Sequence, residues 1–359
     1  MVDPTFLDAA KPLDAHDAVP LERLRPWLAD TLGVAADSLE IGRYGRGFSN
    51  LTFRLKVGER ELVLRRPPPG VHIAKAHDMT REARVMQGVG RVWSKVPAVV
   101  ATCEDVSVIG STFYLMERVP GVILRDVPPR GLELGEDTMR RLSTGMVDTL
   151  AEIHGLDVHA AGIEGRPDGY VRRQVEGWTR RYRDAATDDV ADIETIAAWL
   201  AANQPPESGA TLVHNDFKYD NVILDPDDVG RVISVLDWEM ATVGDPLMDV
   251  GTFLAYWVQA DDPPSLQLFR MCLTDLPGNL TRGELVARYQ QQTGRSFDPA
   301  WYFTFGLFKN AVVAQQLYAR YQKGLTTEAR YAGLIWAVRG IGAVANEVAQ
   351  SGRIEGFGA

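Results

Sequence analysis

The sequence predicts an α+β protein of two lobes, in which a small five-stranded sheet with one main helix precedes a larger, mostly helical lobe. Three observations support this prediction. The 359 residues exceed the size at which one hydrophobic core usually stops growing. Short alternating apolar runs dominate the first third of the chain, and apolar residues at helical spacing dominate the rest. We predict an N-terminal arm and helix over 1–35, an N-terminal lobe over 36–119 and a C-terminal lobe over 120–359.

The N-terminal elements are predicted from apolar runs that turn residues separate. The first 18 or so residues are rich in Pro, Asp and Ala and predict a poorly ordered arm. A helix is predicted over 20–32, because its apolar residues recur at helical spacing and Gly33 follows. Strands are predicted over 39–44, 51–57, 61–65, 96–102 and 112–119, with a helix over 77–89. Pro120 and Gly121 then begin a connector.

The C-terminal region is predicted to be largely helical. Helices are expected over 136–154, 170–185, 190–202, 245–259, 265–273, 282–293, 300–322 and 327–350. A block of short strands over 212–239 interrupts them. The sequence shows no internal repeat and no low-complexity segment.

Composition excludes several classes of protein. Hydrophobic residues make up 45% and charged residues 24%, which is ordinary for a globular protein, and no apolar run is long enough to span a membrane. The sequence begins without a signal-like segment, and Cys103 and Cys272 predict free thiols in a reducing cytoplasm. A net charge of −10 argues against a nucleic-acid or anionic-membrane partner but not against an anionic cofactor. The oligomeric state stays open.

The most informative stretch reads HNDFKYDN over 214–221 and is followed by VISVLDWE over 232–239. Asn221 lies five positions after Asp216, and Asp237 lies 21 positions after it. This arrangement suits phosphoryl transfer, since Asp216 can accept a hydroxyl proton or orient the acceptor hydroxyl. The oxygens of Asn221 and Asp237 can hold Mg²⁺ against the phosphates of ATP. Turn-capping roles are the alternative for each residue alone, and they are less consistent with all three together.

Charged and histidine side chains around this motif have weaker signals. Lys218 is predicted to reach the γ-phosphate, and its alternative is a solvated loop lysine. His214 and His154 are interpreted as structural histidines that anchor the loop and a helix end. Asp245 and Asp249 are expected to cap a helix and brace the catalytic loop rather than contact substrate.

A glycine-rich segment joins the first two predicted strands. It contains Gly45, Gly47, Ser49 and Asn50. Glycines there let backbone N–H groups approach phosphate oxygens, and Ser49 adds a hydroxyl donor. Such hairpins are common, so the segment predicts a nucleotide site mainly because it precedes the catalytic motif.

The third predicted strand is expected to carry a cation to the α- and β-phosphates. Strand alternation places Val63 and Arg65 on one face, so Arg65 takes this position. Glu82, 17 positions further on, is its predicted partner in a bidentate ion pair, with ordinary surface charges as the alternative. Glu117 lies just before the connector, where we expect its backbone to meet the adenine edge.

Together these motifs resemble the aminoglycoside phosphotransferase and choline kinase-like superfamily, whose members are relatives of protein kinases. The resemblance covers about 39–350. LVLRRPPPG over 62–70 and FKNAVVAQQLYAR over 308–320 are similar to one subgroup, the kinase-like domains fused to acyl-CoA dehydrogenases. The resemblance implies a bilobal protein-kinase-like fold and ATP-dependent phosphorylation of a hydroxyl, with Asp216 as base and Asn221 and Asp237 at Mg²⁺. Arg65 departs from the superfamily's usual lysine.

Three functions remain in competition on the sequence alone. The first is an active small-molecule kinase, for which the fused relatives suggest a hydroxy acid or hydroxyacyl-CoA as acceptor. The second is a nucleotide-binding pseudokinase that serves as an interaction module, motivated by Arg65. The third is a protein kinase, which is disfavoured because only a few residues separate Asp237 from the helix predicted at Asp245.

The acceptor site is the least predictable part of the chain. Aromatic residues of the late helices, Trp301, Tyr302, Phe303 and Phe305, read equally well as core or as pocket wall. Overall acidity suits a cationic acceptor, whereas a CoA ester needs a local basic patch. Lys309 and Arg320 are candidates for such a patch, but we interpret both as solvated helix charges and assign neither.

Overall fold

The computed structural model confirms an α+β protein of two lobes. It describes residues 10–13, 17, 19–35, 38–45, 50–68, 78–188, 190–326 and 328–357. The strands are β1 (Lys11–Pro12), β2 (Glu40–Arg43), β3 (Leu51–Val57), β4 (Arg60–Arg66), β5 (Val99–Cys103), β6 (Phe113–Glu117), β7 (Thr211–Val213), β8 (Val222–Leu224), β9 (Val232–Val235) and β10 (Thr242–Gly244). The helices are α1 (Leu21–Leu32), α2 (Met79–Gly90), α3 (Val106–Ile109), α4 (Glu136–His154), α5 (Val158–Ala161), α6 (Tyr170–Ala185), α7 (Ala191–Ala202), α8 (Pro246–Tyr256), α9 (Pro264–Gln267), α10 (Arg282–Thr293), α11 (Pro299–Gln322) and α12 (Leu334–Ser351).

The N-terminal sheet is antiparallel and places Arg65 in its centre. Its strand order is β1-β2-β3-β4-β6-β5, so β4 lies between two long neighbours. Arg65 is opposite Thr52 on β3 and Tyr114 on β6. The prediction of five strands was one short among the described residues, because Lys11–Pro12 pairs with the edge of β2. Two residues of the arm that we expected to be poorly ordered therefore form an edge strand.

The two faces of this sheet belong to different hydrophobic clusters. Leu62 and Leu64 pack with Leu24 and Leu28 of α1 on the outer face. Val63 faces the other way and joins α2 and the C-terminal lobe in the larger cluster. The predicted alternation along β4 is confirmed, and it follows from the period of two that a strand imposes on its side chains. The inner face is therefore continuous with the helical lobe.

Helix α11 lies at the centre of the C-terminal lobe, between α8 and α12. It approaches α8 very closely, since a Cβ atom added to Gly251 would lie 2.1 Å from the carbonyl oxygen of Tyr302. A Cβ atom added to Gly306 would likewise lie 2.1 Å from the carbonyl oxygen of Gly251. Glycine is thus required at both positions for the backbones to pack. None of the helices in the described ranges has the length and apolar character needed to cross a membrane.

Several predicted helix boundaries were wrong, and local contacts explain them. The helix expected over 265–273 is only the short α9, and after it the backbone N–H groups of Phe269 and Arg270 bond three residues back, in turns rather than in a continued α-helix. The helix expected over 327–350 begins at Leu334, after a 3₁₀ turn over Ala329–Gly333, and residue 327 lies outside the described residues. Residue 77, where we expected α2 to begin, also lies outside them.

Candidate active site

A tight loop after β7 carries the HNDFKYDN motif and is fixed from below by Asp249 of α8. The carboxylate of Asp249 is fully buried and accepts hydrogen bonds from the backbone N–H groups of His214 (2.6 Å) and Asn215 (2.8 Å). Asn215 has a positive φ of 66°, an unusual conformation for a residue with a side chain. The brace that we predicted for Asp249 is therefore present, and it stabilises a strained turn next to Asp216.

Histidines around the loop have structural contacts. His214 is buried, its Nε2 lies 2.9 Å from the carbonyl oxygen of Leu236, and burial lowers its pKa. His154 Nε2 lies 3.2 Å from a carboxylate oxygen of Asp249. Trp238 packs beneath the loop, with its ring centre 4.9 Å from that of His214. Trp238 thus supports His214 directly, whereas His154 supports the loop through Asp249.

Asp216 is surrounded by hydrogen-bond donors. Its Oδ2 accepts from Lys218 Nζ (2.5 Å) and from Asn221 Nδ2 (2.8 Å), and its Oδ1 accepts from the hydroxyl of Tyr256 (2.8 Å). Burial raises the pKa of Asp216, but Lys218, Lys309 and Tyr256 outweigh burial and bring the pKa below its usual value. Asp216 is thus an ionised carboxylate. Because a carboxylate offers about four acceptor positions, one remains for a further donor.

The two predicted metal ligands lie beside Asp216 at the cleft. Asn221 uses its amide nitrogen on Asp216, which leaves its amide oxygen without a hydrogen bond among the described contacts. Asp237 has a positive φ of 63°, which turns its carboxylate out of the direction of β9. Both residues line the same cavity as Asp216. No cluster of three or more His, Cys, Asp or Glu side chains suited to a metal occurs in the described part of the chain.

Arg65 forms ion pairs with Glu82, the partner that we predicted, and with Asp237 across the cleft. Its Nη2 lies 2.7 Å from Asp237 Oδ1, whereas its Nε lies 3.4 Å from Glu82 Oε2 without hydrogen-bond geometry. The predicted ion pair with Glu82 is therefore present, but it is not bidentate, and the shorter, hydrogen-bonded contact is to Asp237, which we did not predict as a partner. Glu82 is only 1% exposed, and its burial raises its pKa to about 7 although Arg65 acts to lower it.

The N-terminal lobe has further contacts with the segment after Asp237. Asn50 Nδ2 donates to Glu239 Oε2 (2.8 Å), and Arg81 of α2 donates to the carbonyl oxygens of Glu239 (2.8 Å) and Ala241 (2.5 Å). These bonds connect the sheet and α2 to residues 239–241. Sequence reasoning assigned Asn50 to the glycine-rich loop but gave no indication of this contact.

The cavity between the lobes has a volume of about 780 Å³. Its walls bring together most of the predicted site: Gly45, Asn50, Arg65, Glu117, Asp216, Lys218, Asn221 and Asp237. Glu82 lies behind Arg65 and is buried. Gly47 and Ser49 lie outside the described residues, so their predicted role is untested. Cavities of this size accommodate small-molecule ligands and cofactors.

Glu117 does not offer its amide to the cavity. Its backbone N–H donates to the carbonyl oxygen of Ala98 (2.8 Å), and its side chain pairs with Arg60 (2.5 Å). Val119, two residues further on, lines the same cavity, and its amide has no hydrogen bond among the described contacts. The better candidate for a donor at the connector is therefore Val119. Glu117 also lines the cavity, and its predicted backbone contact with the adenine edge stays a prediction.

Two functional candidates were missed or misjudged from the sequence. Tyr256, at the end of α8, donates to Asp216 from 40 positions away, and no local pattern predicts such a contact. Lys309 was interpreted as a solvated charge, and this was wrong. Its side chain is 2% exposed, and its Nζ donates to the carbonyl oxygen of Asn215 (2.5 Å). Only its position in the subgroup-like 308–320 segment gave a signal.

Comparison with known proteins agrees with this geometry. Residues 40–302 match the model of a phosphotransferase enzyme family. The chain is 36% identical over 293 residues to human acyl-CoA dehydrogenase family member 11, covering 80% of this chain and 37% of that protein. It is 34% identical to mouse acyl-CoA dehydrogenase family member 10, covering 89% of this chain and 30% of that protein. The chain thus spans about a third of the length of these relatives.

Solved structures show the same fold. A Ralstonia eutropha protein provisionally assigned as an aminoglycoside phosphotransferase is 28% identical, with a TM-score of 0.77 over 92% of this chain and 98% of that one. An aminoglycoside phosphotransferase in ternary complex with AMP-PNP and hygromycin B is 19% identical, with a TM-score of 0.60 over 92% of this chain and 99% of that one. At that identity the second likeness concerns the fold alone.

Proposed function

Because the chain belongs to the phosphotransferase enzyme family, with an alcohol group as acceptor, we propose that it transfers the γ-phosphoryl group of Mg-ATP to a small-molecule hydroxyl. The observation that supports this most directly is the convergence of Arg65, Asp216, Asn221 and Asp237 on one cavity. The related structure with AMP-PNP supports an adenine nucleotide as donor.

The residues present fit Mg²⁺ and ATP. The amide nitrogen of Asn221 donates to Asp216, so the amide oxygen is available as a hard oxygen ligand. Asp237 supplies the second oxygen, and Arg65 is within reach of the same space as a partner for phosphate. Magnesium would neutralise charge on the transferred phosphoryl group. Val119 and the connector are proposed to receive the adenine edge.

Asp216 is proposed to orient the acceptor hydroxyl and to accept its proton. Its low pKa makes it a weak base, so orientation is its larger contribution, in keeping with a loose transition state. Lys218 holds one carboxylate oxygen, and Tyr256 holds the other. Lys218 is also positioned to face negative charge that develops on the phosphoryl group.

A hydroxy acid or hydroxyacyl-CoA is the proposed acceptor. Two similar proteins are named as acyl-CoA dehydrogenase family members. The region that matches this chain makes up about a third of their length. A small acceptor also suits the short segment after Asp237, where only a 3₁₀ turn and β10 precede α8. A long docking segment for a protein substrate is absent between these described elements.

The proposal is tested by ADP production over a panel of hydroxy acids, their CoA esters, aminoglycosides, choline and sugars. We expect turnover of at least one hydroxy acid or CoA ester with Mg-ATP. Asp216→Asn is expected to lower turnover by about 10²-fold or more, the scale of a lost acid–base group, with nucleotide affinity nearly unchanged. Asp237→Ala is expected to weaken Mg-ATP binding itself.

The alternative is a nucleotide-binding interaction module, favoured by the ion pair between Arg65 and Asp237. This alternative predicts that the protein binds nucleotide but phosphorylates no acceptor. Wild type and Asp216→Asn would then give the same background level of ADP production. Absence of Mg-ATP and Mg-GTP binding in calorimetry on the folded protein would exclude both functions.

A further inference from the structure

A second cavity, of about 180 Å³, lies on the other side of the catalytic loop. We call it the Lys309 pocket; its walls include Arg81, Trp178, Arg181, Asn215, Glu239 and Lys309. It is formed where α2, α6 and α11 meet the segment after Asp237. By the volume that water occupies in the liquid, it holds on the order of six water-sized groups. The pocket is therefore large enough for one end of a small molecule.

Lys309 is a buried cation in this pocket without a carboxylate partner. Its Nζ donates to the carbonyl oxygen of Asn215 (2.5 Å) and lies 5.6 Å from the ring centre of Trp178. Across the described residues no Asp or Glu forms an ion pair with it. An ammonium group has three N–H donors, so the Asn215 contact leaves donors for another acceptor. Burial lowers the pKa of Lys309 to about 8, although the nearby carboxylates of Asp216 and Asp249 act to raise it.

The other charges of the pocket reinforce its positive character. Arg181 stacks over Trp178 at 4.6 Å and makes no ion pair within the described ranges. Arg81 donates hydrogen bonds to the carbonyl oxygens of Glu239 and Ala241 rather than to a carboxylate. The carboxylate of Glu239 is held away by Asn50 (2.8 Å) and lies 3.8 Å from Arg65. The charged side chains that line the pocket are thus three cations and one carboxylate, and this carboxylate is already hydrogen-bonded.

The pocket adjoins the proposed reaction centre. Glu239 lines both the Lys309 pocket and the cavity between the lobes. Lys309 is bonded to Asn215, the neighbour of Asp216, and its charge is close enough to lower the pKa of Asp216. A molecule held at Lys309 would therefore have Glu239 as a wall in common with the cavity that contains Asp216. The chain as a whole is acidic, so this local excess of positive charge is a distinct feature.

We propose that the Lys309 pocket binds the acid group of the phosphate acceptor, with Lys309 as the principal contact and Arg181 at its mouth. This inference rests on the proposed function and narrows its acceptor to a short molecule with a carboxylate or similar oxyanion at one end. The positive charge of the pocket disfavours a cationic aminoglycoside as acceptor. The net negative charge of the whole chain alone would have favoured one. Charge-assisted hydrogen bonds to an oxyanion offset the burial of the Lys309 ammonium.

Binding without phosphoryl transfer gives the first test. Butyrate, which has no hydroxyl, is titrated against its neutral amide by ligand-observed NMR. Wild type is expected to bind butyrate at least about tenfold more tightly than butyramide, the difference made by one charge-assisted hydrogen bond. Lys309→Met removes the charge and keeps most of the side chain, and it is expected to abolish this preference. Equal binding of the two ligands by wild type would overturn the proposal even if the protein proves inactive.

Two arginines of α6 provide a matched pair of variants. Arg181→Gln is expected to reduce the preference for butyrate, whereas Arg180→Gln, at an exposed position outside the pocket, is expected to leave it unchanged. Melting temperatures identify variants that fail to fold, and Mg-ATP affinity is expected to stay at the wild-type value in all three. A preference that survives in Lys309→Met, or that falls equally in both arginine variants, contradicts the assignment.

Turnover distinguishes an acceptor site from a site for free anions. Hydroxybutyrate is compared with hydroxybutyramide in ADP production, and the preference for the acid is expected to disappear in Lys309→Met. Inorganic phosphate is added as a competitor. If phosphate binds more tightly than butyrate and hydroxybutyrate does not displace it, the pocket serves a free anion and the acceptor assignment is wrong.

Discussion

At the scale of single residues, Arg65 lies near two carboxylates and is also the proposed partner of the nucleotide phosphates. Its guanidinium lies 2.7 Å from Asp237 and 3.4 Å from Glu82. If Arg65 holds the α- and β-phosphates, Arg65→Ala is expected to weaken the binding of ATP more than the binding of adenosine, because adenosine has no phosphate. Calorimetry with both ligands measures this difference.

Arg65→Lys discriminates between two roles for the same side chain. A lysine lacks the fork that lets Arg65 face two groups at once, so we expect partial activity rather than full activity. Equal losses of adenosine and ATP affinity in Arg65→Ala would instead show that Arg65 supports the lobe, and the interaction-module alternative would gain support.

Glu82 carries a prediction about pH. Burial raises its pKa from the usual value near 4.5 to about 7, so the folded state holds this proton more tightly than the unfolded state. Stability from this source is fully present below about pH 4.5 and is lost as the pH rises through about 7. The free energy of unfolding of Glu82→Gln, measured relative to wild type, is expected to rise by about 1 kcal/mol or more between pH 5 and pH 8. One pKa unit corresponds to about 1.4 kcal/mol. Urea denaturation at each pH measures this gain, and a constant difference would contradict it.

At the scale of elements, the first turn of α8 holds the catalytic loop through Asp249. Asp249→Ala would leave the buried N–H groups of His214 and Asn215 without an acceptor. Each such group costs about 1–3 kcal/mol, so we expect a loss of about 3 kcal/mol or more in the free energy of unfolding. Asp249→Asn retains one acceptor oxygen and is expected to lose less. Glu176→Ala, on the exposed face of α6, is the control and is expected to change stability by less than about 0.5 kcal/mol.

Elements were predicted well where local pattern decides them. Helices α4, α6 and α10 begin and end at the predicted residues, since apolar spacing and caps such as Thr281 with Glu284 are local signals. Strand β1 was not predictable, because a two-residue strand of Lys11 and Pro12 is defined only by its pairing with β2. The length of α9 was overestimated, because the chain after Gln267 continues in turns with bonds three residues back instead of an α-helix.

The candidate site divides in the same way. The spacing of Asp216, Asn221 and Asp237 is a local signal, and all three reach one cavity. The contacts of Tyr256 with Asp216 and of Lys309 with Asn215 join residues 40 and 94 positions apart. Only packing of the helices brings such residues together, so a sequence pattern could not reveal them.

At the scale of the whole molecule, the two lobes share one hydrophobic cluster. Residues of α2, such as Ala83 and Met86, belong to the same cluster as Trp238 beneath the catalytic loop and Phe308 of α11. Helix α2 also contributes a wall residue to each proposed pocket, Arg81 to one and Met86 to the other. The lobe boundaries over 36–119 and 120–359 stay predictions, because the core does not stop at either limit.

The contact of Arg65 with Asp237 has a kinetic consequence. On the proposed mechanism, Asp237 would have to give up its contact with Arg65 in order to hold the metal, and the ion pair would re-form once the site empties. Association then includes a side-chain rearrangement and is slower than diffusion. When the site empties, Arg65 would compete with the metal for the same carboxylate. Loss of the metal would thereby be favoured by a charge that belongs to the protein, without any lid or loop opening.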